Sequence, residues 1–567
     1  MKILQLHTDY VEYTPIEREI SVAEETAMSP RRFEDAVVLF ISAEIGDNQS
    51  TSKEASDDIT ESIQKLGAKR VLVYPFAHLA QDLAPATVAL EIIKTLATEL
   101  SKAGFEVHRA PFGWNKSLEL KVKGHPLAEQ SKSYPQVGHP KQTYVEASRT
   151  QARITEANIL SRLRKADFSG LPETDHRIIG ERLDLFSFQE VSPGMVYWHY
   201  KGLRLKELLL GFLRAELAKR NYVEVSTPAL ANTALWRVSG HSEHYKDDMF
   251  LTKMGNEEMG LKPMNCPSTF LIYKSRRWSF RELPVRYSIF DPLYRNELSG
   301  VSSGLFRVKA LTQDDAHIIA TEEQVKPEIS DMLDHMEKVY KTFDLGYKVK
   351  ISTRPDNSMG SEEEWKQATD TLIEAVKSKG WTYEIKEKEG NFYAPKIDVD
   401  IRDSLGREWQ CGTFQLDLQM PKRFGLVYTG SDGKEHTPVV LHRTILGSLE
   451  RFTGIILEHY KGALPIWLSP VQARVISISD EHIEYARRVL SALDAAGVRA
   501  ESDFESGTLG AKIRNARLQR IPYMVIVGKK EEEEEQISVR TREGAERRGM
   551  SLQELLNEIS EKSKLYE

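Results

Sequence analysis

The chain has 567 residues with 77 basic against 84 acidic side chains and a net charge of -7, too long for one core, since single cores stop growing at about 250–300 residues. With 40% hydrophobic and 28% charged residues it reads as an ordinary soluble protein. No apolar run is long enough to span a membrane, MKILQLHTDY lacks the pattern of a secretory signal, and two cysteines make no disulfide framework, so a cytoplasmic location is expected. The acidic balance argues mildly against nucleic acid, so any RNA partner must meet local basic patches.

The first segment alternates strand and helix signals. LQLHTDYVEY, VVLFISAEI, RVLVYPF, FEVHRA and SLELKVK read as strands, and PATVALEIIKTLATELSK reads as an amphipathic helix with proline near its start. This predicts a compact α/β unit over 1–135, ending near Glu129. Ser131–Tyr144 is rich in Pro, Gly, Lys and Ser and reads as the start of a linker over 136–172. Within that linker VEASRTQARITEANILSRLRKADF reads as a charged helix: either a solvated connector or a basic arm along RNA. From 173 to 463 long strands surround long helices without strand–helix alternation, which predicts a mainly antiparallel sheet. From 464 to 567, VQARVISIS, VRAESDF, YMVIVGKK and QISVRTREG alternate with helical stretches and close on SLQELLNEISEK, a small α/β domain. The acidic run Glu531–Glu535 reads as a solvated hairpin turn. The expected fold class is therefore multidomain, α/β and α+β.

Three residues in the long middle segment stand out. Cys266 in MNCP, His317 in TQDDAHII and His442 in VLHRTILGS are one thiol and two imidazoles, the donor types that Zn2+ prefers, and a catalytic zinc keeps three protein ligands and an open position. Taken singly, each is more often a packed core residue. Arg295 in YRNELSG and Arg307 in GLFRVKALTQDD lie between them and Arg451 in GSLERF follows. Arginine suits a triphosphate, because its guanidinium is always charged and grips oxygens in a fork. The GxGxxG and GxxxxGK[ST] patterns are absent, so a nucleotide must be held another way. A zinc site among phosphate-gripping arginines suggests a small molecule activated with ATP.

Those residues carry a resemblance. LKPMNCPSTFLIYKSRRWSFRELPVRYSIFDPLYRNELSGVSSGLFRVKALTQDDAHII, FYAPKIDVDIRDSLGREWQCGTFQLD and VVLHRTILGSLERFTGIILEHY closely resemble the class II signature regions of threonyl-tRNA synthetases, and the match runs from about Glu173 to the C-terminus. VYPFAHL, RAPFGW and KGHPLAE resemble the editing domain of the archaeal type, which is related to D-aminoacyl-tRNA deacylases. The resemblance implies a deacylase-like editing domain over 1–135, a class II antiparallel-sheet catalytic domain over 173–463 and an anticodon-binding domain over 464–567. It implies a threonine–tRNA ligase that forms threonyl-adenylate from L-threonine and ATP with Mg2+, transfers the threonyl group to tRNA(Thr), and removes serine from seryl-tRNA(Thr). A homodimer is implied through YVEVSTPAL, whose bland reading is a core strand ending at proline.

By the same resemblance, Cys266, His317 and His442 hold one Zn2+ per subunit. Arg295, Glu297, Arg307, Gln410 and Arg451 bind ATP; Met264, Arg295, Gln313, Asp315, Tyr393, Gln410 and Ser448 bind threonine; and Arg295, Lys396 and Arg451 support the reaction. Cys411 is left for packing, as the ligand set is already filled. Editing falls to Ala77, His78, Lys116 and Glu129, although Trp114–Asn115 departs from the aromatic residue usual before the lysine. Arg520, Glu531 and Arg540 match anticodon-reading positions, and Ser506 stands where asparagine is common. The zinc itself predicts the second sieve. A site that demands a hydroxyl rejects valine by about 10⁴–10⁵, whereas serine's missing methyl is worth only about 1–3 kcal/mol. Two rival readings remain: a synthetase for proline, serine or glycine, against which the zinc trio and Asp315 argue, and a non-catalytic RNA-binding regulator, against which Arg295, Arg307, Lys396 and Arg451 argue.

Overall fold

A computed structural model describes residues 1–20, 22–79, 83–125, 127–134, 168, 170–245, 248–297, 304–402 and 406–564. The chain divides into two compact units, Met1–Asn158 and Ile159–Glu567. The charged helix expected over 145–168 lies almost entirely outside the described residues.

The first unit is one six-stranded sheet. Its strands are β1 (Lys2–Arg18), β2 (Arg31–Ser42), β3 (Arg70–Pro75), β4 (Glu106–Arg109), β5 (Trp114–Val122) and β6 (Glu129–Ser133). Their order is β4-β3-β2-β1-β5, with β6 also on β1. α1 (Gln49–Leu66) and α2 (Ala86–Lys102) accompany it. In α2 the residues Ala89, Ile92, Ile93, Leu96 and Leu100 are buried, the i, i+3, i+4 spacing of one helical face, and Pro85 precedes the first turn. The alternating pattern of β1 matches a strand covered on one side. One helix went unread and one expectation needs correction. α1 carries so many Ser, Asp and Lys residues that its apolar stripe (Ala55, Ile59, Ile63) escapes notice. And Ser131–Ser133 belong to β6, where Lys2 pairs with Ser133, so this stretch closes the sheet before any linker begins.

The second unit holds an eight-stranded sheet made of β7 (Val223–Glu224), β8 (Val285–Ile289), β9 (Asp315–Ala320), β10 (Gly346–Ser352), β11 (Tyr383–Lys386), β12 (Lys396–Arg402), β13 (Glu408–Asp417) and β14 (Val439–Thr444). The order is β11-β10-β12-β13-β14-β9-β8-β7. All pairings are antiparallel except β10 with β11 and β8 with β7 at the two edges. One face is apolar and is packed by α3 (Tyr200–Ala218), α5 (Val325–Thr342), α6 (Glu362–Ser378) and α7 (Leu449–His459), which bury Leu209, Ile329, Leu372 and Phe452 with Phe414 and Leu441 of the sheet. The other face carries α4 (Cys266–Lys274) and a row of polar side chains.

The same unit contains a five-stranded sheet of β15 (Ala473–Ser477), β16 (Ala500–Asp503), β17 (Tyr523–Val527), β18 (Ile537–Thr541) and β19 (Glu546–Met550), ordered β16-β15-β17-β18-β19. β15 is parallel to β16 and β17, while β18 and β19 are antiparallel. α8 (Ile483–Ala495), α9 (Leu509–Leu518) and α10 (Leu552–Ser563) pack on it. The acidic run does not form a simple hairpin turn. Its first residues belong to a short helix, Lys529–Glu533, because the Glu531 side chain accepts the Gly528 N–H (3.1 Å) and closes a capping arrangement.

Candidate active site

Register builds the site. Tyr287, His317, His442, Gln415 and Lys396 are successive cross-strand partners from β8 to β12, so their side chains share one face. Two-residue alternation adds Asp315 on β9, Thr413 and Asp417 on β13 and Asp398 on β12. Cys266 reaches the same place from the first turn of α4, where Pro267 occupies a position that suits proline. The donor atoms of Cys266, His317 and His442 all lie within 4.8 Å of one another, and all three residues are buried.

The protonation states suit a metal. Burial, reinforced by His442 and Arg443, pushes His317 well down, so its imidazole is neutral. Its Nδ1 is buried without a hydrogen-bond partner, an orphan that a bound cation would satisfy. His442 Nε2 lies 2.9 Å from Asp417 Oδ2. A carboxylate accepts, so this nitrogen donates, which leaves Nδ1 as the atom that would take a metal. Asp417 is itself fixed, since its Oδ1 accepts the N–H groups of Gln419 (2.8 Å) and Met420 (2.9 Å). Burial pushes the Cys266 thiol up, and a cation is what would favour its thiolate.

A β-bulge decides the neighbouring face. Val399 pairs with Gly412 but Asp400 pairs with Gln410, leaving Cys411 as the extra residue. Cys411 joins the apolar core, and Gln410 turns onto the polar face, where its Nε2 donates to Asp398 Oδ1 (2.6 Å). Lys396 Nζ lies 2.7 Å from Asp398 Oδ2. Asn265 Nδ2 donates to Asp315 Oδ2 (3.2 Å), and burial pushes the Asp315 carboxyl up to about 6. Tyr393 donates to Gln415 Oε1 (2.6 Å) and its ring lies 5.4 Å from that of His442. Met264 Sδ sits 3.0 Å from His241 Nε2. Gln313 bridges to Ser448, the N-cap of α7, whose side chain accepts the Arg451 N–H (3.0 Å).

The arginines gather at the margin. Burial, with the nearby Arg451, pushes Arg295 down. Arg307 is exposed and pairs with Glu297 (2.7 Å). Arg451 donates from Nε to the Phe306 carbonyl (2.9 Å) and from Nη1 to the Gln410 carbonyl (3.1 Å). Asn265, Asp398, Gln415 and Asp417 were not singled out from the sequence. For Asp417 the signal was present: it follows Gln415 by two in TFQLD and is a carboxylate in an apolar strand.

In the first unit a cavity of about 390 Å³ is lined by Ala77 and Lys116 together with Tyr74, Phe112 and Trp114. Lys116 Nζ donates to the carbonyls of Trp114 (2.8 Å) and Pro111 (3.1 Å) and lies 5.0 Å from the Tyr74 ring centre. Burial pushes its ammonium down to about 8. Glu129 is exposed on β6 and does not line this cavity, and the His78 side chain lies outside the described ones. In the second unit six arginines, Arg182, Arg514, Arg517, Arg520, Arg540 and Arg542, line a cavity of about 460 Å³ with no acidic residue among its described lining. Arg540 also faces a neighbouring cleft with Glu531, whose carboxylate accepts from Ser538 Oγ (2.7 Å).

Comparison with known proteins gives three matching families: the Archaea-specific editing domain of threonyl-tRNA synthetase over residues 1–134, the tRNA synthetase class II core domain (G, H, P, S and T) over 250–460, and an anticodon binding domain over 472–562. The solved RNA binding domain of threonyl-tRNA synthetase from Cryptosporidium parvum Iowa II is 40% identical, with a TM-score of 0.67, covering 68% of this chain and 98% of that one. The chain belongs to the threonyl-tRNA synthetase family. A second family structure, the putative threonyl-tRNA synthetase ThrRS-1 of Aeropyrum pernix, is 30% identical with a TM-score of 0.61, over 69% of this chain and 97% of that one. The threonine–tRNA ligase of Caldanaerobacter subterraneus subsp. tengcongensis is 48% identical over 385 residues, 68% of this chain. The chain spans about 60% of the length of the curated threonyl-tRNA synthetase relatives it matches.

Proposed function

We propose that this chain is a threonine–tRNA ligase of class II. It activates L-threonine with ATP and Mg2+, transfers the threonyl group to tRNA(Thr), and removes misattached serine in its first unit. The domains are then 1–135 for editing, 173–463 for catalysis and 464–567 for the anticodon. The observation that carries the reading is the convergence of Cys266, His317 and His442 on the polar face of the eight-stranded sheet beside Asp315 and Arg295.

The thiol, the two imidazoles and the orphaned His317 nitrogen fit Zn2+. Zinc bound there supplies a Lewis-acid centre that favours an amino acid with a β-hydroxyl. Asp315 is placed to receive the substrate ammonium, held in orientation by Asn265. The first step brings a carboxylate to a triphosphate, two anions, so positioning and charge neutralisation dominate. Arg295, whose Nε donates to the Pro263 carbonyl (3.4 Å), can hold the substrate carboxylate against the α-phosphate. Arg307 gains the γ-phosphate by exchanging Glu297, and Arg451, braced on two carbonyls, faces the triphosphate from the other side. Lys396 and Gln410, both tied to Asp398, support the substrates.

In the first unit, Lys116 beside the cavity provides a cation near the scissile ester. In the second, Arg520, Arg540 and the arginines around them form a phosphate-accepting hollow that reconciles tRNA binding with a net charge of -7. No helix among the described residues is long and apolar enough to cross a membrane, and a cytoplasmic site of action fits a translation enzyme. A homodimer fits the outer strand β7, whose Val223 is 59% exposed, and Tyr200, 73% exposed at the start of α3.

The test is the zinc content of the purified chain together with its charging of tRNA(Thr). Stoichiometric zinc lost in Cys266→Ala, along with threonylation, supports the proposal. Full threonylation without zinc overturns the metal assignment.

A further inference from the structure

Asp175, His176 and Glu458 form a second buried cluster, outside the residues assigned above, with ligand atoms within 4.8 Å of one another. It resembles a metal site, but the imidazole is already used at both nitrogens. The Leu305 N–H donates to His176 Nε2 (2.9 Å), so the ring proton sits on Nδ1, which donates to Glu458 Oε1 (2.7 Å). The His176 N–H donates to the same oxygen (3.1 Å). Burial alone would raise the Glu458 carboxyl, yet the hydrogen bonds from His176 and Arg407 hold it below its usual range, so it is a fixed anion. The cluster is a chain of hydrogen bonds that ends on a backbone N–H.

That N–H belongs to the turn Gly304–Phe306, directly before Arg307. The turn is tied to α7 twice. At the start of the helix, Arg451 Nε donates to the Phe306 carbonyl (2.9 Å). Seven residues later on the same helix, Glu458 holds the turn through His176. The His176 ring also lies 4.2 Å from the Phe306 ring, which packs on Trp409 at 4.1 Å. Gly304, at φ +56°, has no room for a side chain, since a Cβ there would stand 2.2 Å from His176 Nε2.

We propose that His176 is a positioning residue for ATP: by bridging Glu458 to the Leu305 N–H it fixes the turn that presents Arg307 at a set separation from Arg451. The inference rests on the assignment of those two arginines to the triphosphate. Two attachments on one helix leave the turn no freedom to rotate about either, and a flexible turn would offer Arg307 in many directions at an entropic cost to binding. His176 is fully buried, so its effect on ATP is argued through the turn and not through direct contact.

The test is calorimetric binding of Mg-ATP and of threonine, with threonine-dependent ATP–pyrophosphate exchange, for the full chain and the variants His176→Phe, His176→Asn and His176→Gln. His176→Phe leaves the Leu305 N–H without an acceptor, and ATP affinity and the KM for ATP are expected to worsen by about tenfold or more, with the threonine constants within about twofold. His176→Asn is too short to reach Leu305 and is expected to follow it, keeping a falsifiable variant if the phenylalanine fails to fold. His176→Gln places an amide oxygen near the position of Nε2 and is expected to recover most of the ATP affinity. Unchanged ATP binding in His176→Phe or His176→Asn, an equal loss for both substrates, or no rescue by glutamine overturns the proposal. A wild-type chain that binds ATP but shows no exchange overturns the ligase reading instead, and ATP affinity across the variants still decides the role of His176.

Discussion

His317 and His442 are register partners on adjacent antiparallel strands, with ring centres 5.0 Å apart and planes at 82°. Residues 125 positions apart in sequence thus become neighbours on one face through pairing alone. Cys266 is delivered by a separate helix, so the trio depends on how α4 packs as well as on sheet register.

The carboxylate behind His442 is expected to set the strength of the proposed metal site. Asp417→Asn keeps the shape but replaces the acceptor that orients the imidazole, and it also weakens the cap on Gln419 and Met420. We expect zinc affinity to fall by about 10–100-fold, measured by competition with a chromogenic chelator. Unchanged affinity would show that Asp417 only caps the chain after β13.

Gly412 sits at the bulge that turns Gln410 onto the polar face beside Asp398. A Cβ there would meet Tyr340 Oη at 2.7 Å and Val399 Cβ at 3.2 Å, and Tyr340 also holds the Ile445 carbonyl (2.7 Å). Gly412→Ala is expected to cost about 1–3 kcal/mol by overpacking, seen in denaturant unfolding, and to lower pyrophosphate exchange. A variant of native stability and activity would show that the bulge relaxes freely.

Much of this was legible beforehand and some of it was not. The convergence of Cys266, His317 and His442 and the antiparallel sheet agree with what residue types and a resemblance in three long segments led one to expect. The bulge at Cys411 was not legible, because WQCGT alternates no differently from a regular strand, and only pairing with Val399 and Asp400 shows the slip. The packing role expected for Cys411 agrees with its burial in the core, although the residue gets there through that slip. α1 was hidden by its polar composition, and β6 by lysine and serine residues that read as linker, until the N-terminal strand supplied a partner. Glu129, an editing position carried over from the family, is exposed on β6 and is not among the residues that line the cavity with Lys116.

Lys116 gives a pH signature. Its folded value of about 8 lies below the ordinary 10.5 of lysine, so below pH 8 both folded and unfolded chains hold the proton and the folded state carries the full burial penalty. Between pH 8 and 10.5 the folded state has released its proton and the penalty fades. Lys116→Met is therefore expected to be more stable than wild type at pH 7, with the gap narrowing toward pH 10.5 in thermal unfolding. The same variant should slow hydrolysis of seryl-tRNA(Thr) while leaving adenylation intact. Equal deacylation by the variant would remove Lys116 from the editing site.

The arginine-lined hollow, proposed to take RNA, shares no residue with the zinc trio or the arginines assigned to ATP. Arg540→Ala is expected to weaken threonylation of tRNA(Thr) while tRNA-free ATP–pyrophosphate exchange stays within about twofold, since Arg540 lines a cavity distinct from the polar face of the eight-stranded sheet. Its effect on threonylation should shrink as salt rises. Loss of both activities together would contradict this division.

The most direct measurement is amino-acid-dependent ATP–pyrophosphate exchange by the full chain, with threonine, serine and valine compared at equal concentration. The zinc-site account predicts strong exchange with threonine, weaker but measurable exchange with serine, and a rate with valine lower by about 10⁴ or more. Exchange with valine comparable to that with threonine, or none with threonine, would contradict it.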